Sequence, residues 1–403
     1  MFLTYFFTDV LKKVEDAFAL PILPKLEISF VHLHDKIHLL DRASRLSLLV
    51  ESWGTMRLAY TALVRSKSEV PGIFVDTTGC AFSYIVAKLV FGCRVMAYTH
   101  YPTISTDMLA LVWDRRRATY NNQDYIAKSR ITSFAKLIYY CIFAVAYGCA
   151  GSLCDLVLVN STWTYNHIHS LWWLAALQQR IHIVFPPCRV PENSGDRDTN
   201  RKNDTREQIV LSIGQFRPEK DHELQMQALA KLFELHPTLK GKIKMVMVGG
   251  CRGPADERRL HHLKNLAQEY DLTNSVTFSV NQPYSVVEDW LRRASVGIHT
   301  MWNEHFGIGV VEMMAAGLIT IAHDSGGPKS DIVVPWEGRP TGLLASNVDS
   351  YAKAMYEAFS MDASAASEMR KYASISAARF SDEQFNSRFK QILLESRLLT
   401  PRC

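Results

Sequence analysis

The sequence predicts an α/β protein in which two doubly wound, Rossmann-like domains face each other across a cleft. The chain has 403 residues, which exceeds what a single hydrophobic core usually serves. Short apolar runs alternate with longer amphipathic ones, most regularly in the second half, and this alternation is typical of parallel sheets covered by helices. Between the halves, residues 188–207 have almost no apolar side chains and mix Pro, Asn, Gly and charge, so they predict a linker.

The carboxy-terminal domain is predicted over residues 208–380, followed by a terminal helix at 381–403 that crosses back to the first domain. Short apolar runs predict its strands at 208–214, 244–250, 275–280, 295–300 and 318–323. Amphipathic runs predict its helices at 223–235, 256–270, 286–293 and 307–316. Ligands of such sheets bind beyond the carboxyl ends of the strands, so the strand-to-helix loops are the place to look for a site.

The amino-terminal domain, predicted over residues 1–187, shows the same alternation less completely. Strands are predicted at 72–77, 93–100 and 154–160, with a further candidate at 26–32. A doubly wound domain normally opens with a strand and a glycine-rich turn, and no such turn precedes Gly54. We therefore expect this domain to lack its first β-α unit.

Charge and cysteine content exclude several classes of function. A formal net charge of +5 is too small to predict nucleic-acid binding, although it suits an anionic ligand or membrane surface. The eight cysteines form no C-x-x-C pair, which favours reduced thiols over a disulfide framework or a zinc site. The D-x-D string at 196–198 lies in a polar loop, where it lacks the rigid strand end that a metal site needs, so no metal is predicted.

One apolar run, at residues 137–153, is near the lower limit for crossing a bilayer. It leads directly into the predicted strand at 154–160, which favours a core helix, or a helix lying on a membrane, over a membrane span. The first eighteen residues are interrupted by charge and have no small-residue cleavage site. They predict neither a signal peptide nor a spanning helix.

The most specific motif is NEHFGIGVVEMMAAG, residues 303–317, which follows a predicted strand. Glu304 is expected in the loop, where its carboxylate can accept hydrogen bonds from sugar hydroxyls, and Glu312 in the helix, where it can reach a ribose diol. The amides that open the helix form a diphosphate site, and they belong to Phe306, Gly307 and Ile308. An ordinary helix with one solvated glutamate is the alternative for the E-x7-E spacing taken alone.

A second motif, SIGQFRPEKDHELQMQAL, follows another predicted strand. Arg217 and Lys220 occupy the turn after Gly214, where they suit the growing negative charge of a departing diphosphate. An exposed basic loop is the alternative. Gly249 and Gly250 end the next strand, where they admit a nucleotide or phosphate to the backbone or serve only as turn glycines.

In the amino-terminal half, His100 ends the strand predicted at 93–100 and is expected to meet a sugar from the opposite side of the cleft. A structural histidine is the ordinary alternative. Hydrolysis by a Ser-His-Asp triad receives little support because no G-x-S-x-G elbow is present.

Several strings together resemble the retaining GT-B glycosyltransferases related to glycogen and sucrose synthases and bacterial mannosyltransferases. They resemble more closely the dolichol-linked-oligosaccharide α-1,2-mannosyltransferase family of the endoplasmic reticulum. The strings that carry this resemblance are YPTISTDML, VNSTWT, FPPC, GQFRPEKDH, HTMWNEHFGIGVVE and SGGPKSDIVVP. The resemblance runs from about residue 70 to about residue 390. It implies a GT-B fold, a GDP-mannose donor and a Man3GlcNAc2-diphosphodolichol acceptor that receives its fourth and fifth mannoses on the cytosolic face of the membrane.

The resemblance also implies roles for the residues already singled out. Arg217 and Lys220 would bind the diphosphate, Glu304 the transferred mannose and Glu312 the ribose, with His100 meeting the sugar and no metal or cofactor required. Members of this family ordinarily begin with a membrane anchor and a glycine-rich loop, and neither is found in this sequence. Two alternatives therefore stay open: a shortened, inactive form that binds nucleotide or docks on other mannosyltransferases of the pathway, and a sucrose- or starch-type enzyme with a soluble acceptor.

Overall fold

The computed structural model describes residues 30–40, 47–66, 71–113, 130–190, 206–396 and 398–400. Its described strands form two separate parallel sheets, one in each half of the chain. The central strands are apolar runs covered on both faces, as the burial of all four residues of Leu156–Val159 illustrates, whereas edge strands are partly exposed, as at Val75. The predicted α/β class with two domains is confirmed.

The amino-terminal sheet has four described strands in chain order, β1 (Ile73–Asp76), β2 (Arg94–Thr99), β3 (Leu156–Val159) and β4 (Ile181–Ile183). Its described α-helices are α1 (Ser47–Arg65), α2 (Ser83–Ile85), α3 (Thr106–Trp113), α4 (Arg130–Gly151), α5 (Thr162–Leu171) and α6 (Trp173–Leu177). A 3-10 helix spans His34–Leu40, and a π-helical turn, Val86–Val90, continues α2.

The carboxy-terminal sheet has six strands in the order β10-β9-β8-β5-β6-β7. These are β5 (Glu207–Ile213), β6 (Lys244–Gly249), β7 (Val276–Val280), β8 (Ala294–Ile298), β9 (Ile319–His323) and β10 (Leu343–Ala345). The chain order reverses between β5 and β8, which defines the switch point where open α/β sheets bind ligands. The segment that follows β5 carries Arg217 and Lys220, the loop that follows β8 carries Glu304, and the helix after that loop carries Glu312.

Helices cover both faces of this second sheet. They are α7 (His222–Leu235), α8 (Pro254–Glu269), α9 (Tyr284–Arg293), α10 (Ile308–Ala315), α11 (Val348–Ser360) and α12 (Ala363–Ala377). Short helical turns span Pro218–Lys220, Pro237–Leu239, Pro328–Ile332 and Ala378–Phe380. Every strand and helix predicted in residues 208–323 is present, with ends shifted by at most two residues.

The last helix, α13 (Asp382–Glu395), leaves the second domain and packs on the amino-terminal sheet. Its Phe385 ring lies 6.3 Å from the ring of Tyr98 in β2, and Ile392 is buried against the sheet residues Leu156 and Leu158. Arg94 Nη1 donates to the carbonyl of Leu398 at 2.6 Å. The chain is therefore tied back to its first domain.

Three sequence expectations need correction or stay open. The candidate strand at 26–32 is wrong in its described part, because residues 30–33 have no strand. The strands β4 and β10 were not predicted; each has only three residues, too few for a pattern. The missing first β-α unit, the amino-terminal eighteen residues and the D-x-D string involve residues outside the described ranges and remain predictions.

The apolar run at 137–153 forms most of helix α4. One face of the helix is buried, with Phe143 and Tyr147 in the amino-terminal core, and the opposite face is exposed. Ser133–Gly151 is long and apolar enough to cross a membrane by length and composition, which is weak support for a span because core helices pass the same test.

Candidate active site

Glu304 lies at the centre of the candidate site, in the loop between β8 and α10. Its Oε2 forms an ion pair with Lys220 Nζ and lies 3.1 Å from His299 Nε2. Its Oε1 accepts a hydrogen bond from the backbone N–H of His305 at 3.2 Å. The Glu304 side chain is 13% exposed, so the structure brings together the acidic and basic residues that came from two distant motifs.

The electrostatics keep this carboxylate ionised. Burial alone would raise the pKa of Glu304, but the hydrogen bond and charge of His299 and the charge of Lys220 outweigh burial and hold that pKa well below its usual range. An ionised carboxylate offers only acceptors. Glu304 therefore suits hydroxyl groups of a bound sugar.

Lys220 is fixed by the backbone around it. It ends the turn Pro218–Lys220, and the next residue, Asp221, adopts a left-handed conformation with φ of 46° and caps helix α7. The hydroxyl of Thr300, just beyond β8, donates to the carbonyl of Lys220 at 2.8 Å. The turn after β5 and the loop after β8 are thus fastened together.

Arg217 and Gly214 belong to the same turn. Arg217 is partly buried, and its guanidinium makes no ion pair or hydrogen bond with any residue that the structure describes. Gly214 lies in van der Waals contact with the methylene groups of Lys220, with 3.6 Å from a Cβ built on the glycine to Lys220 Cδ. The phosphate-binding roles of both residues stay predictions.

The mouth of helix α10 has the open amides that the sequence predicts. Within the described parts of the chain, the N–H groups of Phe306, Gly307 and Ile308 donate to no acceptor. Gly307 has φ of 116°, which favours glycine. The Phe306 side chain is buried between Phe185 and Phe380, with ring centroids at 5.8 and 5.2 Å. The loop is thereby anchored by a side chain while its amides keep no acceptor among the described residues.

Glu312 occupies the helix itself, where burial raises its pKa. Tyr284 Oη lies 3.4 Å from Glu312 Oε1, and the guanidinium of Arg189 stacks 4.0 Å from the centroid of the Tyr284 ring. Neither neighbour was predicted, since no motif joins them to the glutamate. The structure shows no contact between Glu312 and Glu304, and the ribose role stays a prediction.

The two glycines after β6 differ. A Cβ on Gly249 would lie 1.9 Å from the carbonyl oxygen of Gly214, so close packing of two strand ends already requires a glycine there. A Cβ on Gly250 would meet nothing nearer than 3.9 Å. Contact with a nucleotide stays a prediction for both, and packing accounts for Gly249 without one.

His100 follows β2 in the other domain. Its ring centroid lies 4.7 Å from that of Tyr98, and burial lowers the pKa of its imidazole, which favours the neutral ring at pH 7. Its role toward a sugar stays a prediction. Near His100, two direct contacts join the domains, one between Asp107 and Asn303 and one between Tyr101 and His305. The sequence did not predict these contacts.

Two parallel α/β domains facing each other, with a glutamate, a lysine and open helix amides at the switch point of the second, define a glycosyltransferase of the GT-B fold. A family profile described as "ALG11 mannosyltransferase N-terminus" matches residues 6–172, and one described as "Glycosyl transferases group 1" matches residues 196–376. The chain belongs to the dolichol-linked-oligosaccharide α-1,2-mannosyltransferase family.

Curated relatives carry the name GDP-Man:Man(3)GlcNAc(2)-PP-Dol alpha-1,2-mannosyltransferase. The Xenopus tropicalis protein is 46% identical over 345 residues, which cover 86% of this chain and 69% of that protein. The Homo sapiens protein is 44% identical over 348 residues, covering 85% and 68%. The Dictyostelium discoideum protein is 41% identical over 352 residues, covering 86% and 67%.

Solved structures support the fold alone. An α,α-trehalose 6-phosphate synthase from Burkholderia multivorans aligns with a TM-score of 0.65 at 12% identity, covering 88% of this chain and 78% of the other. Anabaena HepE, solved with UDP and glucose, aligns with a TM-score of 0.57 at 15% identity, covering 87% and 83%. Both likenesses extend over the two domains.

Proposed function

We propose that this chain transfers mannose from GDP-mannose to Man3GlcNAc2-diphosphodolichol, adding the fourth and fifth mannoses in α-1,2 linkage with retention of configuration. The donor and acceptor are those in the name of its relatives. The observation that carries the proposal is the buried Glu304 carboxylate held by Lys220 and His299 beside the open amides of helix α10.

In this proposal some of the site residues contact the transferred mannose and others contact the departing GDP. Glu304 accepts hydrogen bonds from mannose hydroxyls and orients the sugar. Arg217, Lys220 and the amides of residues 306–308 stabilise the charge that develops on the departing GDP. Glu312 accepts hydrogen bonds from the ribose. His100 approaches the sugar from the other domain.

The proposed transfer reaction requires no resident metal or cofactor. The bond between mannose C1 and the diphosphate oxygen breaks, and C1 bonds on the same face to an acceptor hydroxyl oxygen. The departing phosphate oxygen takes the proton of that hydroxyl, so GDP leaves and no separate base is required. Two features of this chain support a metal-free route: the basic pair Arg217 and Lys220, and the helix mouth, both suited to the diphosphate.

We also propose that the chain works on the cytosolic face of the endoplasmic reticulum membrane and touches it through its amino-terminal domain. Helix α4 exposes a continuous apolar face, in which Ile142 and Val145 are each 66% exposed. Helices α1 and α6 add Trp53, 62% exposed, and Leu177, 75% exposed. Exposed apolar patches mark interaction surfaces. An apolar face suits contact with the membrane in which a lipid-linked acceptor resides.

A transfer assay with purified chain tests the proposal. GDP-mannose and a synthetic Man3GlcNAc2-diphospholipid are supplied, and the product is checked by digestion with an α-1,2-specific mannosidase. Glu304→Ala should abolish transfer while GDP affinity stays within a few-fold of the unchanged chain. Glu234→Ala, at an exposed position on α7 paired with Lys231, is the matched control and should transfer normally. EDTA should leave the rate unchanged.

Other outcomes identify the alternatives. If GDP binds and no mannose moves, the chain acts as a nucleotide-binding or scaffolding partner of other mannosyltransferases. If a soluble sugar serves as well as the lipid-linked acceptor, a sucrose- or starch-type activity replaces the proposed one.

A further inference from the structure

We infer that the amino-terminal domain positions Glu304 by holding the two residues on either side of it, and that Asp107 is the main positioning residue. The inference rests on the proposed function, because it assigns Glu304 to the transferred sugar. Asn303 and His305 flank Glu304 in sequence, and each contacts the opposite domain through its side chain.

On one side, Asn303 is held by Asp107. Asn303 Nδ2 donates to Asp107 Oδ2 at 2.7 Å, across 196 residues of sequence. The Asn303 backbone has φ of 51°, a conformation that costs a non-glycine residue free energy and persists only when its surroundings enforce it. Its own N–H donates to Ser325 Oγ at 2.8 Å. The contact with Asp107 therefore helps to maintain a strained backbone directly before Glu304.

Asp107 is itself held in place by His167. His167 Nε2 lies 3.4 Å from the same Oδ2 of Asp107, and His167 Nδ1 lies 2.7 Å from Thr106 Oγ1. His167 is 6% exposed. The Asp107 carboxylate is thus oriented toward Asn303 by contacts within its own domain.

On the other side, His305 lies between two aromatic rings of the amino-terminal domain. Its ring centroid is 5.2 Å from that of Tyr101, with an interplanar angle of 22°, and 5.1 Å from that of Trp163. Burial lowers the pKa of His305, which favours a neutral ring that suits stacking. Since the N–H of His305 donates to Glu304 Oε1, this packing acts directly on the carboxylate.

A third contact between the domains supports the loop that carries Glu304. Asp331, which is 5% exposed, accepts a hydrogen bond at 2.9 Å from the N–H of Thr162 at the start of helix α5. In the same segment Gly327 donates to the carbonyl of Glu304 at 2.8 Å. The loop that carries Glu304 is therefore supported by both domains.

The arrangement separates donor binding from sugar orientation. Arg217, Lys220 and the amides of residues 306–308 all belong to the carboxy-terminal domain, so GDP affinity should not require Asp107. The alignment of Glu304 with the sugar should require it. Loss of Asp107 is therefore expected to lower kcat and to leave KM for GDP-mannose nearly unchanged.

Variants of Asp107 test the inference in the full chain. Asp107→Ala should lower kcat on the order of 100-fold, the effect of a misplacement of about 1 Å, with GDP affinity within about threefold. Asp107→Asn keeps an acceptor for Asn303 and should recover most of the rate. Asn303→Ala should add little to Asp107→Ala, because both remove the same contact. Asp35→Ala, at an exposed position of the same domain, is the matched control.

The inference is overturned by normal kcat in Asp107→Ala, or by a loss of GDP affinity as large as the loss of rate. Amide hydrogen exchange provides a readout that needs no turnover. In the GDP-bound chain, exchange in residues 303–305 should be faster in Asp107→Ala than in the unchanged chain, and equal exchange rates also overturn it. If the unchanged chain transfers no mannose but exchange differs, the proposed function fails while the positioning by Asp107 stands.

Discussion

The two domains share a parallel sheet covered by helices, yet their outer surfaces differ. In the carboxy-terminal domain, helix α8 buries Leu263, Leu266 and Ala267 and exposes a charged outer face, as expected for a helix at a water interface. In the amino-terminal domain, helix α4 is apolar on both faces, with Phe143 buried and Ile142 exposed. Helix α8 is thus suited to water on its outer side, whereas helix α4 is apolar on its outer side as well.

The site follows the same division. The charged groups that suit a nucleoside diphosphate belong to the carboxy-terminal domain, at the switch point of its sheet. The amino-terminal domain supplies contacts to the residues around Glu304 and an apolar exterior. The comparison supports the division of roles proposed above, with donor binding in the second domain, and sugar positioning and membrane contact in the first.

After Glu304→Ala, the largest effect is expected from Gly326→Ala, which should disturb Glu304 from within the carboxy-terminal domain. A Cβ at this position would lie 2.3 Å from the carbonyl oxygen of Glu304, and the backbone has φ of 62°. The clash moves the Glu304 backbone, so transfer should fall on the order of 100-fold or more. Gly338→Ala is a matched control, since Gly338 has φ of 75° and no atom within 4 Å of its added Cβ. Equal losses in both variants would attribute the effect to backbone strain alone.

Arg217→Ala is expected to weaken donor binding and transfer together. A hydrogen-bonded contact with a charged group contributes about 1.5–3 kcal/mol, so GDP affinity measured by calorimetry should fall roughly 10- to 100-fold. Asp107→Ala, in the other domain, should leave this affinity nearly intact. A variant of Arg217 with normal GDP affinity would contradict the assignment of donor binding to the second domain.

Much of this comparison could be predicted from the sequence, and part of it could not. The strands of the second domain are continuous apolar runs because both faces of a parallel sheet are covered. Glu304 and Lys220 were expected at one site because each lies in a loop after a predicted strand, and such loops gather at the carboxyl ends of parallel strands. The contacts Asp107–Asn303 and Thr162–Asp331 span 196 and 169 residues. They depend on how two separately folded domains dock, which no local pattern encodes.

The apolar face of helix α4 gives a smaller and more local test. Ile142→Lys places a charge in the middle of that face without disturbing the core, since Ile142 is 66% exposed. Burial of an isoleucine side chain in a bilayer contributes about 1.5–3 kcal/mol, and Ile142→Lys removes that contribution. Binding of the chain to liposomes, measured by flotation, should therefore weaken about tenfold or more. Leu235→Lys, at an exposed position of the carboxy-terminal domain (55% exposed), should bind like the unchanged chain. Equal weakening in both variants would contradict a membrane-facing first domain.

The smallest effect concerns His222, which follows Lys220 in the same motif, and should be confined to the carboxy-terminal domain. Burial, aided by the charges of Arg259, His299 and Lys220, lowers the pKa of His222 to about 3, and the ring is 1% exposed. An unfolded histidine has a pKa of about 6.5. Below that value the unfolded chain binds a proton that the folded chain does not, so stability falls as pH falls from about 6.5 toward about 3.

His222→Gln removes this titration, and the comparison with the unchanged chain isolates it. Between pH 6 and pH 5 the unchanged chain should lose on the order of 1.4 kcal/mol more stability than the variant, which corresponds to roughly 2–4 °C in the midpoint of thermal unfolding. All other titrating groups are shared and cancel in the difference. If the domains unfold in separate steps, only the carboxy-terminal transition should shift. A pH-independent difference between the two chains would show that His222 titrates alike in the folded and unfolded protein, and that the turn carrying Lys220 is more open to water than the burial of His222 indicates.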